Sequence, residues 1–414
     1  MTFRPHRYIL TSLFAVVVSA AACSKQGTSV TPAAPPLAND KTAIQIGEKF
    51  KLFSKVLKED RSYWVHVPQT YKPGRPASTS YPVLYVLDGE SRFETAVATV
   101  NFLSGLAMIP EMLVVGVLST DQRMRDMTPT HSTKGPEGEV QPRLTTSGGG
   151  EAFEKFLETE LIPKIESTYP TMPYRVLVGH SLSGLLSLHA GLKEATSFQA
   201  IIAMDPSLFW DEQLVVKQAA ARLSKSDVRL KSIYVATAGL PPDDVEDVPG
   251  LHAARQAFAS VLSRNASSRV RSKVQAFERE NHQTVPFPSL YDGLLFTFDG
   301  YKLSTLEALK DPSRIDTHYR DLSAKFGVEW QPPQSLIDLV GGTLLFEKKQ
   351  IDDAIRLLER GTKAYPNSAD AHEHLGQAYM MKEDKASAIR CFERVLELDP
   401  NNDDVRAELA KLRK

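Results

Sequence analysis

Residues 176–184, with the sequence VLVGHSLSG, constrain the fold of this chain more than any other stretch. An apolar run leads into Gly179, Ser181 and Ser183, which are one residue apart, and then into Gly184 and an apolar helical pattern. This order is what a nucleophile elbow requires, because the turn from strand to helix leaves room only for small neighbours. The stretch therefore predicts Ser181 as a nucleophile in a strained turn. The alternative is a serine that caps an ordinary helix.

Short apolar runs alternate with helical patterns between about residues 42 and 300. Strands buried on both faces are apolar throughout, so this alternation predicts a mostly parallel sheet with helices on both faces. Together with the elbow at Ser181, it predicts the α/β-hydrolase fold. The predicted strands are Tyr63–Val67, Val83–Leu87, Leu113–Leu118, Val176–Val178, Ala200–Met204, Ser232–Thr237 and Lys273–Phe277. The predicted helices include Glu151–Tyr169, Gly184–Leu192 and Gly250–Ser263.

The last eighty residues repeat with a period of 34 residues. Small residues at the crossing points and a proline after each second helix are typical of the tetratricopeptide repeat. Residues 335–414 are therefore predicted to form a small all-α domain of two repeats and a capping helix. Because two repeats cannot bury their end surfaces alone, we expect them to pack on the catalytic domain or on a protein partner, including another protomer. The recurring pairs are Gly342 and Gly376, Ala354 and Ala388, Leu358 and Phe392, and Pro366 and Pro400.

The first 23 residues have the layout of a secretory signal. Arg4 and Arg7 precede an apolar run at residues 8–18, and small residues lead into Cys23. The end of this segment resembles a bacterial lipobox, although Ala20 stands where Leu is usual. We expect export to a bacterial envelope, either periplasmic or anchored in the membrane through lipidated Cys23. The alternative is plain cleavage after an alanine.

The remaining composition restricts partners and cofactors. With 49 basic and 50 acidic residues the net charge is -1, which gives no global attraction to nucleic acid or to an anionic membrane. Cys391 is the only cysteine besides Cys23, so no disulfide is expected if Cys23 is lipidated. His372 and His374 do not share a helix face and make a poor metal pair, and no metal or cofactor is expected.

These observations divide the chain into five segments. The signal peptide at 1–23 is followed by a flexible linker at 24–40, rich in Ser, Thr, Pro and Ala. The hydrolase domain spans 41–310, a connecting helix or linker spans 311–334, and the repeats begin at 335.

A serine hydroxyl becomes a useful nucleophile only when a neighbouring base takes its proton. In this fold the order along the chain is Ser, then acid, then His. His282 satisfies it, because it follows the predicted strand Lys273–Phe277 in the polar loop at 280–284. His282 is therefore the predicted general base.

The triad acid should hold the histidine tautomer and stabilise its protonated form. It is expected in the loop after the predicted strand Ser232–Thr237, and we favour Asp244. Asp205, after another strand, is a lesser candidate. The loop also contains the carboxylates of Asp243, Glu246 and Asp247.

The N-terminus of the helix after Ser181 places the Leu182 backbone N–H where an oxyanion would develop. Residues 45–300 also resemble the Putative esterase family of α/β hydrolases, which includes esterase D-like, feruloyl and siderophore esterases. The resemblance implies that the Asp88-Gly89 turn supplies a second N–H, at Gly89 or Glu90. The segments that carry it are residues 81–89, 123–129, 179–184, 205–210 and His282 with 291–294.

Two departures from the family pattern concern specificity. Asp205 stands where serine is common, and Ser183 where glycine is commoner. Arg125 and Asp126 are candidate pocket residues, the alternative being a structural salt-bridged loop. Trp210 is a candidate wall of the acyl site, the alternative being a core position.

The sequence predicts a serine hydrolase that cleaves carboxylic esters of small molecules, such as siderophore or aryl esters, through an acyl-Ser181 intermediate. Acyl transfer to another alcohol uses the same residues and stays open. A third hypothesis is a lipid-tethered scaffold with an inactive hydrolase fold, whose repeats recruit a partner.

Overall fold

The computed structural model describes residues 43–71, 79–135, 138–225, 229–239, 249–265 and 269–413. The described residues from Gln45 onward form one compact unit. The signal peptide, the linker and Cys23 lie outside the described residues, so export and lipidation stay predictions. Within the described ranges, no helix is long and apolar enough to span a bilayer.

The core is a single eight-stranded sheet with the order β1-β2-β4-β3-β5-β6-β7-β8. The first two strands run antiparallel to their neighbours, and all pairs from β4 to β8 are parallel. The predicted α/β-hydrolase fold is thereby confirmed, and all seven predicted strands are present. The strands are β1 Glu48–Ser54, β2 Glu59–His66, β3 Tyr81–Leu87, β4 Leu113–Val117, β5 Thr171–His180, β6 Ala200–Met204, β7 Ser232–Ala238 and β8 Arg271–Phe277.

Strand β1 was not predicted, because its alternation is weak and its residues are mostly exposed or half-buried. It lies at the sheet edge and pairs with β2 along its whole length. Its inward contact is the stack of Phe50 on Tyr63, with ring centroids 5.4 Å apart.

Helices cover both faces of the sheet. Helices α1 and α8 share an apolar cluster on one face, whereas α3 to α7 pack on the other. The predicted helix at 151–169 runs through α3, one π-helical stretch and α4. The helices up to the end of the sheet region are α1 Gly89–Gly105, α2 Arg123–Asp126, α3 Gly150–Phe156, α4 Ile162–Thr168, α5 Leu182–Gly191, α6 Trp210–Arg222, α7 Pro249–Arg264 and α8 Pro286–Thr297.

Seven further helices follow α8 in the described residues, and the first repeat docks on the hydrolase. Ile337, Leu345 and Tyr365 belong to the same buried cluster as Leu84 and Val176 of the sheet. Docking on the catalytic domain, one of the two predicted solutions, is therefore what the structure shows. The helices are α9 Thr305–Lys310, α10 Ser313–Phe326, α11 Gln334–Gly342, α12 Ile351–Ala364, α13 Ala369–Met381, α14 Lys385–Leu398 and α15 Asp403–Leu412.

The glycine register of the first repeat differs from the prediction. In the second repeat a Cβ on Gly376 would lie 2.6 Å from the Phe392 ring, so glycine is needed for close packing. In the first repeat the corresponding contact is made by Gly341, where a Cβ would lie 2.8 Å from Leu358, and Gly342 faces open space. A π-helical stretch at Thr343–Glu347 absorbs the extra residue, because a π turn accommodates a one-residue insertion within a helix.

Candidate active site

Ser181 occupies a strained turn between β5 and α5. Its backbone has φ 61° and ψ -119°, a combination that a residue with a side chain rarely adopts. Two backbone hydrogen bonds hold it there, from its N–H to Met204 O (3.0 Å) and from Ser207 N–H to its own carbonyl (3.1 Å). The geometry is that of a nucleophile elbow rather than of a helix cap, since the Ser181 side chain accepts no capping hydrogen bond.

The small neighbours of Ser181 are required by contact. A Cβ on Gly179 would lie 2.1 Å from the carbonyl oxygen of Ser183, and one on Gly184 would lie 3.1 Å from the carbonyl oxygen of Gly179. The strand end and the first turn of α5 therefore approach too closely for larger residues. This is the physical basis of the sequence pattern that identified the turn.

His282 lies in the loop between β8 and α8, and its side chain is about a quarter exposed. Its Nδ1 is 2.6 Å from Oδ2 of Asp205. Among the described residues, Asp205 is therefore the carboxylate placed to act as the triad acid, and the choice of Asp244 stays a prediction. Asp244 lies outside the described residues.

Asp205 is buried and accepts further hydrogen bonds through Oδ1. Arg255 Nη2 lies 2.5 Å away and the backbone N–H of Ala238 lies 3.2 Å away. Burial opposes ionisation, but the hydrogen bond from His282 and the nearby charge of Arg255 outweigh it and hold the pKa of Asp205 below its ordinary value. Asp205 is thus an anion that can hold the Nδ1–H of His282.

The sheet explains why Asp205 reaches His282. It follows β6 directly, with φ 44° at the strand end, and β6 lies between β5 and β7. A carboxylate immediately after a fully buried strand was the available signal. The loop after β7 has more carboxylates and is the expected place for the acid in this fold, so the sequence alone favours that loop over Asp205.

The predicted oxyanion donors lie at two helix N-termini. Leu182 begins α5 and Gly89 begins α1, after the parallel neighbours β5 and β3. The first N–H groups of a helix have no acceptor within it, so those of Leu182, Gly89 and Glu90 can bind an anion. Glycine is required at position 89, since a Cβ would lie 2.8 Å from the backbone of Gly116.

Asp88 fixes this turn to the elbow. It has φ 53° and a buried carboxylate that receives two hydrogen bonds of 2.8 Å from Arg123 and one of 2.5 Å from Ser119. Ser183 donates to its Oδ2 at 2.7 Å and accepts from the backbone N–H of His180 at 2.8 Å. Burial opposes ionisation of Asp88, but these donors, Arg123 foremost, lower its pKa. Ser183 stands where the family more often has glycine. Its hydrogen bond to Asp88 therefore connects the start of α5, where Leu182 lies, to the turn before Gly89.

Ser181 and His282 are not yet joined by a hydrogen bond. The Oγ of Ser181 lies 3.5 Å from the Oγ of Ser207. In the part of the chain that the structure describes, Nε2 of His282 has no hydrogen-bond partner. Hydrogen bonds between catalytic groups are often long when no substrate is bound. The missing hydrogen bond between Ser181 and His282 is therefore compatible with His282 as the base for Ser181.

The three predicted substrate-binding residues have structural positions. Asp126 is fully buried and pairs with Arg61 and Arg125, at 2.7 Å in both cases, and Arg125 also pairs with Glu59. Trp210 is 2% exposed and donates its indole N–H to Thr130. The burial of Asp126 and Trp210 favours the structural alternatives for these two residues. The Arg125 side chain is paired but 29% exposed, and a binding role for the three residues stays a prediction.

A cavity of about 350 Å³ lies beside the His282 loop. It is bounded by the sheet face at Val86 and Val178, by Arg92 of α1, and by the exposed ring of Phe287 at the start of α8. Apolar surface and the guanidinium of Arg92 therefore lie close to the candidate active site.

A serine in a strained elbow, a histidine and a buried carboxylate, all after the carboxyl ends of parallel strands, define a serine hydrolase of the α/β-hydrolase fold. Residues 54–285, more than half of the chain, match the family described as Putative esterase, and the protein belongs to that family. As a class it is a carboxylic ester hydrolase. Residues 345–412 match a tetratricopeptide repeat family, which confirms the repeats.

Individual relatives agree with this family. An IroE-like serine hydrolase from Shewanella oneidensis is 30% identical, with a TM-score of 0.68 over 77% of this chain and 99% of that one. A ferri-bacillibactin esterase from Bacillus subtilis is 33% identical over 171 residues, which are 39% of this chain and 58% of that protein. A siderophore enterobactin esterase from Emericella nidulans is 25% identical over 64% of this chain and 96% of that protein.

Proposed function

We propose that this protein hydrolyses ester bonds of siderophores through an acyl-Ser181 intermediate. The observation that carries the chemistry is the hydrogen bond of 2.6 Å between Asp205 and Nδ1 of His282, next to the strained Ser181. The substrate class is supported by relatives whose names describe them as siderophore esterases.

The proposed reaction has two halves. His282 Nε2 takes the proton of Ser181 Oγ as that oxygen attacks the ester carbonyl, while the Asp205 carboxylate stabilises the protonated imidazole. The backbone N–H groups of Leu182 and of Gly89 or Glu90 stabilise the oxyanion. His282 then gives the proton to the leaving alcohol. Water, activated by His282, releases the acyl group and restores Ser181.

An esterase assay on a substrate panel tests this function. Residues 24–414 would be purified and offered short-chain p-nitrophenyl, feruloyl and siderophore esters, with Ser181→Ala as the control. We expect the highest kcat/KM on a siderophore ester. Turnover of p-nitrophenyl esters without siderophore turnover would keep the hydrolase and reject the substrate class. Products with an added alcohol would instead favour acyl transfer.

We also propose that the repeats contribute to contacts with a protein partner or a second protomer.

We further propose that the mature protein is exported and anchored through lipidated Cys23. Cys23→Ala should move the protein from the detergent phase to the aqueous phase in a phase-partition assay, leaving ester turnover unchanged. A wild-type protein that partitions into the aqueous phase would reject the anchor.

A further inference from the structure

His180, directly before the nucleophile, uses both of its ring nitrogens. It is buried, with 5% of its surface exposed. Nε2 lies 2.7 Å from the backbone carbonyl oxygen of His282, and Nδ1 lies 3.2 Å from Arg92 Nη2. The rings of His180 and His282 are 4.5 Å apart between centroids, tilted by 38°.

These partners determine which nitrogen carries the proton. A carbonyl oxygen can only accept, so Nε2 of His180 donates to His282. A guanidinium can only donate, so Nδ1 must offer its lone pair to Arg92. Both nitrogens are thereby engaged, and His180 has no free nitrogen with which to serve as the base for Ser181.

We propose that His180 is a positioning residue that fixes the His282 loop relative to Ser181. This inference rests on the proposed function of Ser181 and His282. The His282 side chain is held by Asp205, whereas its backbone is held by His180, which is covalently joined to Ser181. Two attachments, one at the ring and one at the peptide, restrict the position of Nε2 more than the carboxylate alone. Displacements of about 1 Å in such a site lower the rate by about 100-fold.

Neutrality of the ring keeps this attachment in place. Burial is the main cause that lowers the pKa of His180, to about 3, and the neighbouring His282 and Arg92 lower it further. The donor at Nε2 therefore keeps the same partner throughout the neutral pH range. A protonated ring would lose the hydrogen bond from Arg92, because both would then be donors.

The test compares two substitutions at one position. His180→Gln retains an N–H donor near the place of Nε2, and His180→Met fills a similar volume without a donor. On a short-chain p-nitrophenyl ester we expect kcat to fall by about 10- to 100-fold in His180→Met, with KM changed less than about twofold, and to recover largely in His180→Gln. The matched control is His189→Met, at a half-buried histidine of α5 that pairs with Glu154 at 2.7 Å. It should reduce stability and leave kcat unchanged.

Two results would overturn the proposal: a folded His180→Met with wild-type kcat, or a folded His180→Gln as slow as His180→Met. If His180→Met does not fold by circular dichroism, His180→Asn decides the matter. Its shorter amide cannot reach the His282 carbonyl that Nε2 contacts, and an unchanged kcat in the folded variant would then reject the positioning role. Failure of the proposed function gives a different result. Wild-type turnover in Ser181→Ala would reject Ser181 as the nucleophile, independently of the kcat values of the His180 variants.

Discussion

The active site and the C-terminal repeats are stabilised by opposite kinds of interaction. At the site, the buried carboxylates of Asp88 and Asp205, both at positive φ, hold Ser183 and His282 in place by hydrogen bonds. In the repeats, apolar side chains pack at helix crossings with small residues such as Gly376. The difference implies that single substitutions at the site alter the rate more than the stability, and that substitutions in the repeats do the reverse.

The largest effect is expected for Ser181→Ala. Loss of the nucleophile should lower kcat by about 10⁶-fold and leave the thermal midpoint close to wild type, since the elbow is held by backbone hydrogen bonds. Ester turnover, calorimetry and labelling by a fluorophosphonate probe check this. A variant with a tenth of the wild-type rate, or labelling of another serine, would contradict the assignment.

Exchange of the carboxylates separates the two candidate acids. Asp205→Asn should lower kcat by about 10⁴-fold, because the amide no longer holds the required histidine tautomer. Asp244→Asn is the matched control in the loop after β7 and should stay near wild type. If the control has the larger defect, the triad acid is Asp244 and the Asp205 contact is structural.

A smaller effect on rate is expected at the hydrogen bond between Ser183 of α5 and Asp88, the residue before α1. Ser183→Gly restores the residue commoner in the family but removes the hydrogen bond to Asp88. We expect kcat to fall by about tenfold and the free energy of unfolding to fall by about 1 kcal/mol. Ser187→Ala is the control, because Ser187 is equally buried in α5 and donates only to the carbonyl of Ser183. Equal rates for the two variants would exclude a role of the Asp88 link in catalysis.

The repeats should show the opposite pattern. Leu358→Ala removes a buried side chain that packs on Gly341 and should lower the free energy of unfolding by about 2–5 kcal/mol, with kcat of the folded protein unchanged. Truncation after Pro332 should likewise leave Ser181 reactive to the probe while lowering stability or solubility. A soluble, folded truncation that lost all labelling would show that the repeats form part of the site.

The last expected effect is a change in the pH dependence of stability. Between pH 6.5 and about 3 an unfolded His180 binds a proton that the folded one excludes, so wild-type stability should fall as the pH falls through this range. The lowered pKa values of Asp88 and Asp205 act in the same direction at lower pH. His180→Gln lacks the histidine contribution, so its unfolding free energy should vary less with pH. Parallel pH curves for the two proteins would contradict the lowered pKa.

The sequence predicted the features that are local and failed on those that depend on which strands are neighbours. Ser181 and the small residues around it form one continuous stretch, and seven strands were apparent from apolar runs. The pairing of Asp205 with His282 joins residues far apart in the chain and depends on the order β5-β6-β7. The burial of Asp126 and Trp210, which favours structural positions for them, likewise depends on tertiary packing that the sequence does not show.

The core shared between the sheet and the first repeat makes the C-terminal helices part of the hydrolase rather than an attached module. Apolar residues from Leu84 to Cys391 belong to one buried cluster. A protease that cut the chain near Pro332 would therefore leave two fragments that remain associated and elute together. A fusion that transplanted only the repeats to another protein would expose the surface that the sheet now covers.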